Sequence, residues 1–532
     1  MLFCAAEITF WPGNSHENRK ACAAGTLIPA VIVTAIQKRV LALQRSRDNS
    51  DADPADPVVE QGATVDVYGL LARRVFYPPF VALKRESHLR HLGELERTQF
   101  LAPEKLRLLQ FERLKTVIEH AYNHCPFYAR RFSEWGVKPQ DLREPLDIQK
   151  FPILTKKDIQ ANWREMVATN VERSELVENR TGGSTGKPLF FYVDRERMET
   201  RKAATIRHNR WAGYDIADKA GIIWGATRDL THIFEGKTPL RDLLFERSIV
   251  LDASSLSDTG MEQFAKRLRS YRPKVLLGYA NSLYLFAAFI EEKNLGGITA
   301  CSVITTAESL YPDQRQKIEK VFGCPVFDRY GSRETSVIAS ECERHTGLHL
   351  NAECLLVEIL EDGKPAAHGR SGEVVITDLL NRGMPLIRYE IEDRASFSRE
   401  TCPCGRGLPL LRGIEGRVTD FILTPSGTYV SGAALTIKLI AEVPGIAQAQ
   451  LVQEDVGSVK FKLVRGASYS SSTEEILRKK ALEFLDKDVR VLIELVDEIP
   501  REPSGKYRFS ISLVGKDRQS ARSGDWTLRT GI

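Results

Sequence analysis

Apolar positions along this chain form short runs that alternate with helical patterns, and the order of the two changes once. Leu106, Leu109, Leu114, Val117 and Ile118 recur at helical spacing and predict a helix within 101–120. Beyond it, 219–225, 275–278, 301–305 and 325–328 read as buried strands, and 261–271, 282–293 and 312–321 as helices beside them. Such alternation predicts an α/β architecture with mixed, largely parallel sheets. Ligands of these sheets gather at the carboxyl ends of the strands, which puts Ala307, Glu308 and the stretch from Asp328 to Glu334 in one region. Past Phe421 the order becomes strand, strand, helix (473–485) and strand (489–496), a second, small α+β domain.

Length and composition narrow the class. A chain of 532 residues exceeds what one hydrophobic core supports, so at least two domains are expected. With 42% hydrophobic and 27% charged residues it is ordinary globular protein. The net charge of +5 is small, and no basic stripe is interleaved with aromatics, so no nucleic-acid partner is expected. The apolar run 27–36 is too short to span a bilayer core, although Arg19 and Lys20 before it give a faint signal-peptide flavour. Residues 46–57, polar and acidic with two prolines, read as a linker. The expected organisation is an atypical extension (1–66), a main domain (67–419), a small domain (420–515) and a flexible tail (516–532). The nine cysteines lack the spacing of a secreted disulfide framework. A cytoplasmic protein without stable membrane insertion is expected.

Two short segments carry candidate chemistry. Arg180-Thr181-Gly182-Gly183-Ser184-Thr185-Gly186-Lys187-Pro188 offers backbone N–H groups, hydroxyls and one cation, which suits a polyphosphate. It is not the nucleotide-binding P-loop. Thr181 stands where that loop has its first glycine, and Pro188 after Lys187 blocks the helix the loop must open into. Leu189 to Val193 reads as a strand, so the arrangement is strand–loop–strand, and taken alone it also reads as a hairpin tip. In Cys402-Pro403-Cys404-Gly405, two closely spaced thiols suit one metal ion. Cys342 with His349 (or His345) would complete a tetrahedral zinc set, closed and therefore structural, against the alternative of a reduced surface turn.

Together with later segments, the Gly/Ser/Thr/Lys loop resembles the phosphate-binding motif of adenylate-forming enzymes, specifically the phenylacetate–CoA ligase family and its CapK-type relatives. The further segments, in the family's order, are Thr306-Ala307-Glu308-Ser309, Asp328-Arg329-Tyr330-Gly331-Ser332-Arg333-Glu334, Pro385 to Tyr389 running to Asp393, and Gly416-Arg417-Val418-Thr419-Asp420 with Pro503-Ser504-Gly505-Lys506 downstream. The resemblance implies a large adenylation domain and a small mobile C-terminal domain. It also implies ATP and Mg²⁺ as cofactors, a small carboxylic acid as substrate, and an acyl acceptor, with coenzyme A as the expected one. By the same resemblance, Thr181, Gly182, Gly183, Ser184, Thr185, Gly186 and Lys187 would hold the phosphates, and Glu334 would ligate Mg²⁺. Tyr330 would pack on adenine, with Ala307, Glu308, Asp328 and Gly331 around it. Asp393 would take the ribose hydroxyls, Arg417 would add a ribose or phosphate contact, and Lys506 would stabilise charge at the α-phosphate. Trp224, Gly225 and Tyr279 would line the acyl pocket, apolar and aromatic enough for an aryl or hydrophobic acid. Singly, Glu334 also reads as a solvated helix residue and Asp393 as a turn cap. Two departures stand out: Thr419 occupies an aspartate position at the hinge, and Thr306 replaces a glycine. An amine or hydroxyl acceptor, a non-catalytic relative and a homodimer all stay open.

Overall fold

The computed structural model describes residues 66–180, 189–224, 244–253, 256–417, 421–425, 429–431, 435–436, 439, 442–485, 487–500 and 508–514. Helices come first: α1 (Val67–Leu71) and α2 (Tyr77–Leu83), joined by a π-helical turn at Ala72–Phe76, then α3 (His88–Thr98), α4 (Pro103–His124), α5 (Pro126–Trp135) and α6 (Lys156–Asn162). The helix expected within 101–120 is α4, extended by one turn and started by Pro103 at its first position. Strands β1 (Leu176–Arg180) and β2 (Phe190–Asp194) pair antiparallel, with Arg180 opposite Phe190. The two ends of the phosphate-loop segment are therefore held side by side. Among the described residues no helix is long and apolar enough to cross a membrane.

Helix α7 (Arg195–Trp211) follows directly, capped by the Asp194 carboxylate, which accepts from the Arg197 N–H at 2.7 Å. Next come β3 (Ala220–Trp224), β4 (Ser248–Asp252), α8 (Asp258–Tyr271), β5 (Val275–Tyr279), α9 (Ala280–Glu292), β6 (Ser302–Thr306), α10 (Pro312–Phe322) and β7 (Val326–Ser332). The strands and helices expected from the apolar runs are all present, most ends within two residues; α8 begins three residues earlier and β7 ends four residues later than expected. Strands β4, β3, β5, β6 and β7 are parallel neighbours in that order. The sheet continues antiparallel through β8 (Ser336–Glu341), β9 (Leu348–Leu350), β14 (Leu410–Arg417), β13 (Tyr389–Phe397), β12 (Gly372–Asp378), β10 (Leu355–Glu361) and β11 (Lys364–Pro365), twelve strands in all. Phe264, Leu268, Phe286, Ile318 and Phe322 from the helices pack on Ile223, Val303 and Val326 of the parallel half.

Cross-strand register sets one row of side chains. Tyr279 lies opposite Thr306, Thr306 opposite Arg329, Arg329 opposite Ser340, and Ser340 opposite His349. Directly paired residues share a face of the sheet. This row therefore runs from the carboxyl ends of β5 and β6 to the start of the antiparallel half. It lies beneath α7, because the Arg329 guanidinium donates to Asn209 Oδ1 of that helix at 2.7 Å.

The C-terminal part forms its own sheet. β17 (Ile446–Asp455) and β18 (Ser458–Arg465) are antiparallel, flanked in parallel by β20 (Ser510–Ser512) and β19 (Arg490–Leu495), with α11 (Ser471–Leu482) laid across them. The short pair β15 (Phe421–Leu423) and β16 (Tyr429–Ser431) precedes it. Leu451, Phe461, Leu463, Leu477 and Ala481 form its core.

Helix α7 is polar in composition and almost wholly buried. Arg207 donates to both carboxylate oxygens of Glu353, at 2.6 and 3.1 Å, and to Asn351 Oδ1 at 2.9 Å; both members of the ion pair are 1% exposed. Removing one partner of a buried pair leaves an uncompensated charge. Arg207→Met should lower unfolding free energy by about 3–5 kcal/mol in denaturant titration. Adding Glu353→Leu should recover much of that loss, and a double variant no more stable than the single would contradict the assignment.

Candidate functional site

The carboxyl ends of β6 and β7 bring the expected residues together. Chain direction reverses after Thr306 through Ala307, held at φ 66°, and the Glu308 carboxylate accepts from the Asn281 N–H at 2.9 Å. On β7, Asp328 accepts from the Thr305 hydroxyl at 2.9 Å and from the Arg329 N–H at 3.0 Å. Burial, reinforced by the neighbouring Glu341 charge, pushes the Asp328 carboxyl up to about 7. The Tyr330 phenol donates to Asp393 Oδ2 at 2.7 Å, which joins the residue expected beside adenine to the one expected on the ribose. Gly331 has a packing reason of its own: a Cβ there would stand 2.8 Å from the Ser336 carbonyl oxygen.

Glu334 sits in the turn between β7 and β8, only 8% exposed, so it is not a solvated helix residue. Tyr389 on β13 donates to Glu334 Oε1 at 3.1 Å. Burial, then the Glu334 charge, hold the Tyr389 phenol well above its ordinary value, so it remains a donor. The turn itself is fixed from α7. Arg201 donates to the carbonyls of Arg333 and Glu334, and Arg197 donates to the Thr335 carbonyl at 3.2 Å while paired with Asp378 at 2.8 Å. Asp393 is a strand residue rather than a turn cap, and its backbone lies opposite Arg417 of β14. Non-glycine residues with positive φ surround this region: Ala307, Ser336, Arg388 and Glu392. Strain of this kind persists only where the surroundings enforce it, and it concentrates at functional sites.

Two of the residues expected in the acyl pocket meet at the ends of β3 and β5. The Trp224 and Tyr279 rings are 4.5 Å apart at 43°, and each residue is 2% exposed. Residues 181–188, Gly225, Thr419, Asp420 and Lys506 lie outside the described residues, as does the Arg417 side chain. Sequence reasoning missed Arg197 and Arg201, and it gave no role to Arg329 or Tyr389, although both lie in segments that carry the resemblance.

A second centre lies across the antiparallel half. The ligand atoms of Cys342, His349, Cys402 and Cys404 all fall within 4.8 Å of one another. Cys342 and Cys402 sulfurs are 3.6 Å apart, and Cys404 Sγ is 3.3 Å from His349 Nε2. A tetrahedron with metal–sulfur bonds of about 2.3 Å has sulfur–sulfur edges of about 3.8 Å, so the spacing fits one ion. Backbone N–H groups of Arg344 and Arg406 point at Cys342 and Cys404 sulfurs, and His349 Nδ1 faces the Leu408 carbonyl at 3.3 Å, the outer support a ligating imidazole needs. Burial lowers His349 to about 4, which keeps it neutral, and raises the Cys342 thiol above its ordinary value. His345, the other candidate, is elsewhere, with Nδ1 3.1 Å from Glu341 Oε2. The paired thiols are thus a built cluster, not a bare surface turn.

Residues 422–512 match the CapK C-terminal domain family. Protein CapK of Staphylococcus aureus is 24% identical over 424 residues, 76% of this chain and 89% of its own. The phenylacetate–coenzyme A ligase of Escherichia coli K12 is 27% identical over 339 residues, 62% of this chain and 75% of its own. The chain is a relative of CapK and the phenylacetate–CoA ligases. Its fold is similar to that of a solved 2-hydroxyisobutyryl-CoA ligase, with a TM-score of 0.66 at 19% identity over 80% of this chain and 92% of the other.

In this CapK relative, Asp328 yields a prediction with a definite sign. Its folded pKa, about 7, lies above the ordinary carboxylate value of about 4. Its contribution to stability is therefore full below about pH 4, declines as pH rises to about 7, and stays low above that. Asp328→Asn, a neutral mimic, should match wild type in thermal midpoint near pH 4.5 and exceed it at pH 8. Parallel midpoint curves for the two proteins would remove the assignment.

Proposed function

We propose that this protein activates a carboxylic acid with ATP as an acyl-adenylate and then passes the acyl group to coenzyme A. The observation that carries the reading is the meeting of Glu334 with Tyr389 and of Tyr330 with Asp393, two hydrogen bonds that join β7 and the turn after it to β13. The named activities of the CapK relatives and the fold support it. A carboxylate is a poor acyl donor, and attack on the α-phosphorus replaces an oxide leaving group by AMP. Catalysis of such a transfer is largely positioning and neutralisation of phosphate charge.

In this reading Asp393 takes ribose hydroxyls with Tyr330 fixing its carboxylate, and Glu334, an oxygen donor kept buried and hydrogen-bonded, holds Mg²⁺. Bound Mg²⁺ would supply charge neutralisation at the phosphates. Arg201 and Arg197, through the backbone of residues 333–335, keep the Glu334 turn from relaxing away. The hydroxyls, amides and lysine of 181–187 hold the remaining phosphate oxygens, and Lys506 meets the charge developing at the α-phosphate. The cluster of Cys342, His349, Cys402 and Cys404 binds zinc in a closed site whose part is structural.

Two measurements test these assignments. Acid-dependent ATP–pyrophosphate exchange should be found with some carboxylic acid, and addition of coenzyme A, amines or hydroxyl compounds then identifies the acceptor. Glu334→Gln should lower that exchange about 10²–10³-fold with little change in thermal midpoint. Exchange near wild type at low millimolar Mg²⁺ would take Glu334 out of the site. For the metal, elemental analysis of untagged protein should find about one zinc per chain. Cys404→Ser should lower the midpoint more than it lowers exchange, because zinc-binding free energy is folding free energy. Protein that cannot be loaded with zinc would refute the centre.

A further inference from the structure

The row Tyr279–Thr306–Arg329–Ser340 contains a buried charge that no carboxylate of the described residues pairs with. Arg329 is 5% exposed. Its guanidinium donates to Asn209 Oδ1 at 2.7 Å, its Nε, like those of Arg201 and Arg207, has no hydrogen-bond partner, and, unlike Arg207, it forms no ion pair with a carboxylate of the described residues. Burial lowers the group to about 10, so it is still a cation at neutral pH. Thr306 Oγ1 and Ser340 Oγ, on either side of it in the row, are also buried without partners. Asp328, next in sequence, is directed to the other face of β7, where it takes the Thr305 hydroxyl. Buried cations are normally paired, and leaving one without an acceptor is costly. At its other end the row abuts the tilted Trp224–Tyr279 pair, at the carboxyl ends of the parallel strands where ligands of such sheets sit.

We infer that the acid this protein activates carries a second carboxylate on its acyl chain, held by Arg329 and Thr306 beside the Trp224–Tyr279 pair. The inference rests on the adenylation reading and sharpens it. Trp224 and Tyr279 alone suggest an aryl or purely hydrophobic acid, whereas the unmet donors beside them specify a polar end. A site built to satisfy such donors discriminates strongly against a ligand that leaves them unmet.

The test uses the full chain and acids matched in length: succinate against butyrate, glutarate against valerate, 4-carboxyphenylacetate against phenylacetate, and 4-hydroxybutyrate as a neutral polar control. Wild type should favour the diacid of at least one pair about 10²-fold in kcat/KM for exchange. Arg329→Met should erase that preference or invert it, and the near-isosteric Thr306→Val should reduce it. Preference for the monoacids or the hydroxy acid, or equal effects of Arg329→Met on both members of a pair, would overturn the inference. So would a loss of zinc in Arg329→Met with unchanged acid preference, since the cation would then serve the thiol cluster. If Arg329→Met does not fold, Thr306→Val decides by the same comparison. Should no acid support exchange, the adenylation reading fails by itself, and calorimetric titration with the same acids judges the inference: diacid-selective binding lost in the variants sustains it, and absence of selectivity ends it.

Discussion

A guanidinium taken out of water has to be met by fixed acceptors, and helix α7 buries three of them along one flank. Arg197 is matched by Asp378 and the Thr335 carbonyl, Arg201 by the carbonyls of Arg333 and Glu334, and Arg207 by Glu353 and Asn351. Charged donors make the stronger class of hydrogen bond, and the planar guanidinium fixes direction as well as distance. The helix therefore sets the position of the turn that carries Glu334, the end of β12 and the segment after β9 at once. With those three fixed, the backbone between them has little freedom. That is the physical setting in which Ser336 and Arg388 adopt left-handed conformations that would otherwise relax.

The same helix was the least legible element in the sequence. Its residues, Arg-Glu-Arg-Met-Glu-Thr-Arg-Lys and onward, have no apolar stripe and look like a solvated segment, whereas burial inside the protein inverts the usual pattern. The β/α alternation was legible because β3, β5, β6 and their helices obey the ordinary rule of apolar core and polar surface. The motifs at Ala307–Glu308 and Gly331–Glu334 were legible because each sits at the end of a strand, β6 and β7. Partner choice was not. Tyr389 and Glu334 are 55 residues apart, and nothing local specifies their hydrogen bond. The choice of His349 over His345 likewise depends on register: β9 pairs with β8 and β14, which turns His349 toward Cys404, while His345 precedes that strand and falls to Glu341.

Thiol cluster and sheet row are one construction. His349 ends the row that begins at Tyr279, and its ring lies 5.8 Å from Trp211 at the end of α7. Arg406, between the cluster and that helix, has its guanidinium 4.8 Å from the Trp211 ring and pairs with Glu343 at 3.0 Å. A closed four-ligand ion at this place would tie β9 to the loop before β14 and hold the antiparallel half against α7. Its effect on chemistry would then be mechanical, transmitted through the same helix whose arginines hold the Glu334 turn.

In the proposed reading, strand β7 divides the two halves of the chemistry. Successive side chains of a strand point to opposite faces, so Asp328 is directed toward Thr305 on one side and Arg329 toward Asn209 on the other. Tyr330 returns to the first side and reaches Asp393. One strand of seven residues thus presents the nucleotide-facing candidates and the acid-facing candidate in alternation. A shift of register by one residue would exchange them. Gly331, where a Cβ would press on the Ser336 carbonyl, marks the point at which β7 draws close to β8 and the pairing slips by one residue. That slip ends the alternation just before the turn that carries Glu334. The glycine therefore shapes the candidate site through the backbone it lets pass.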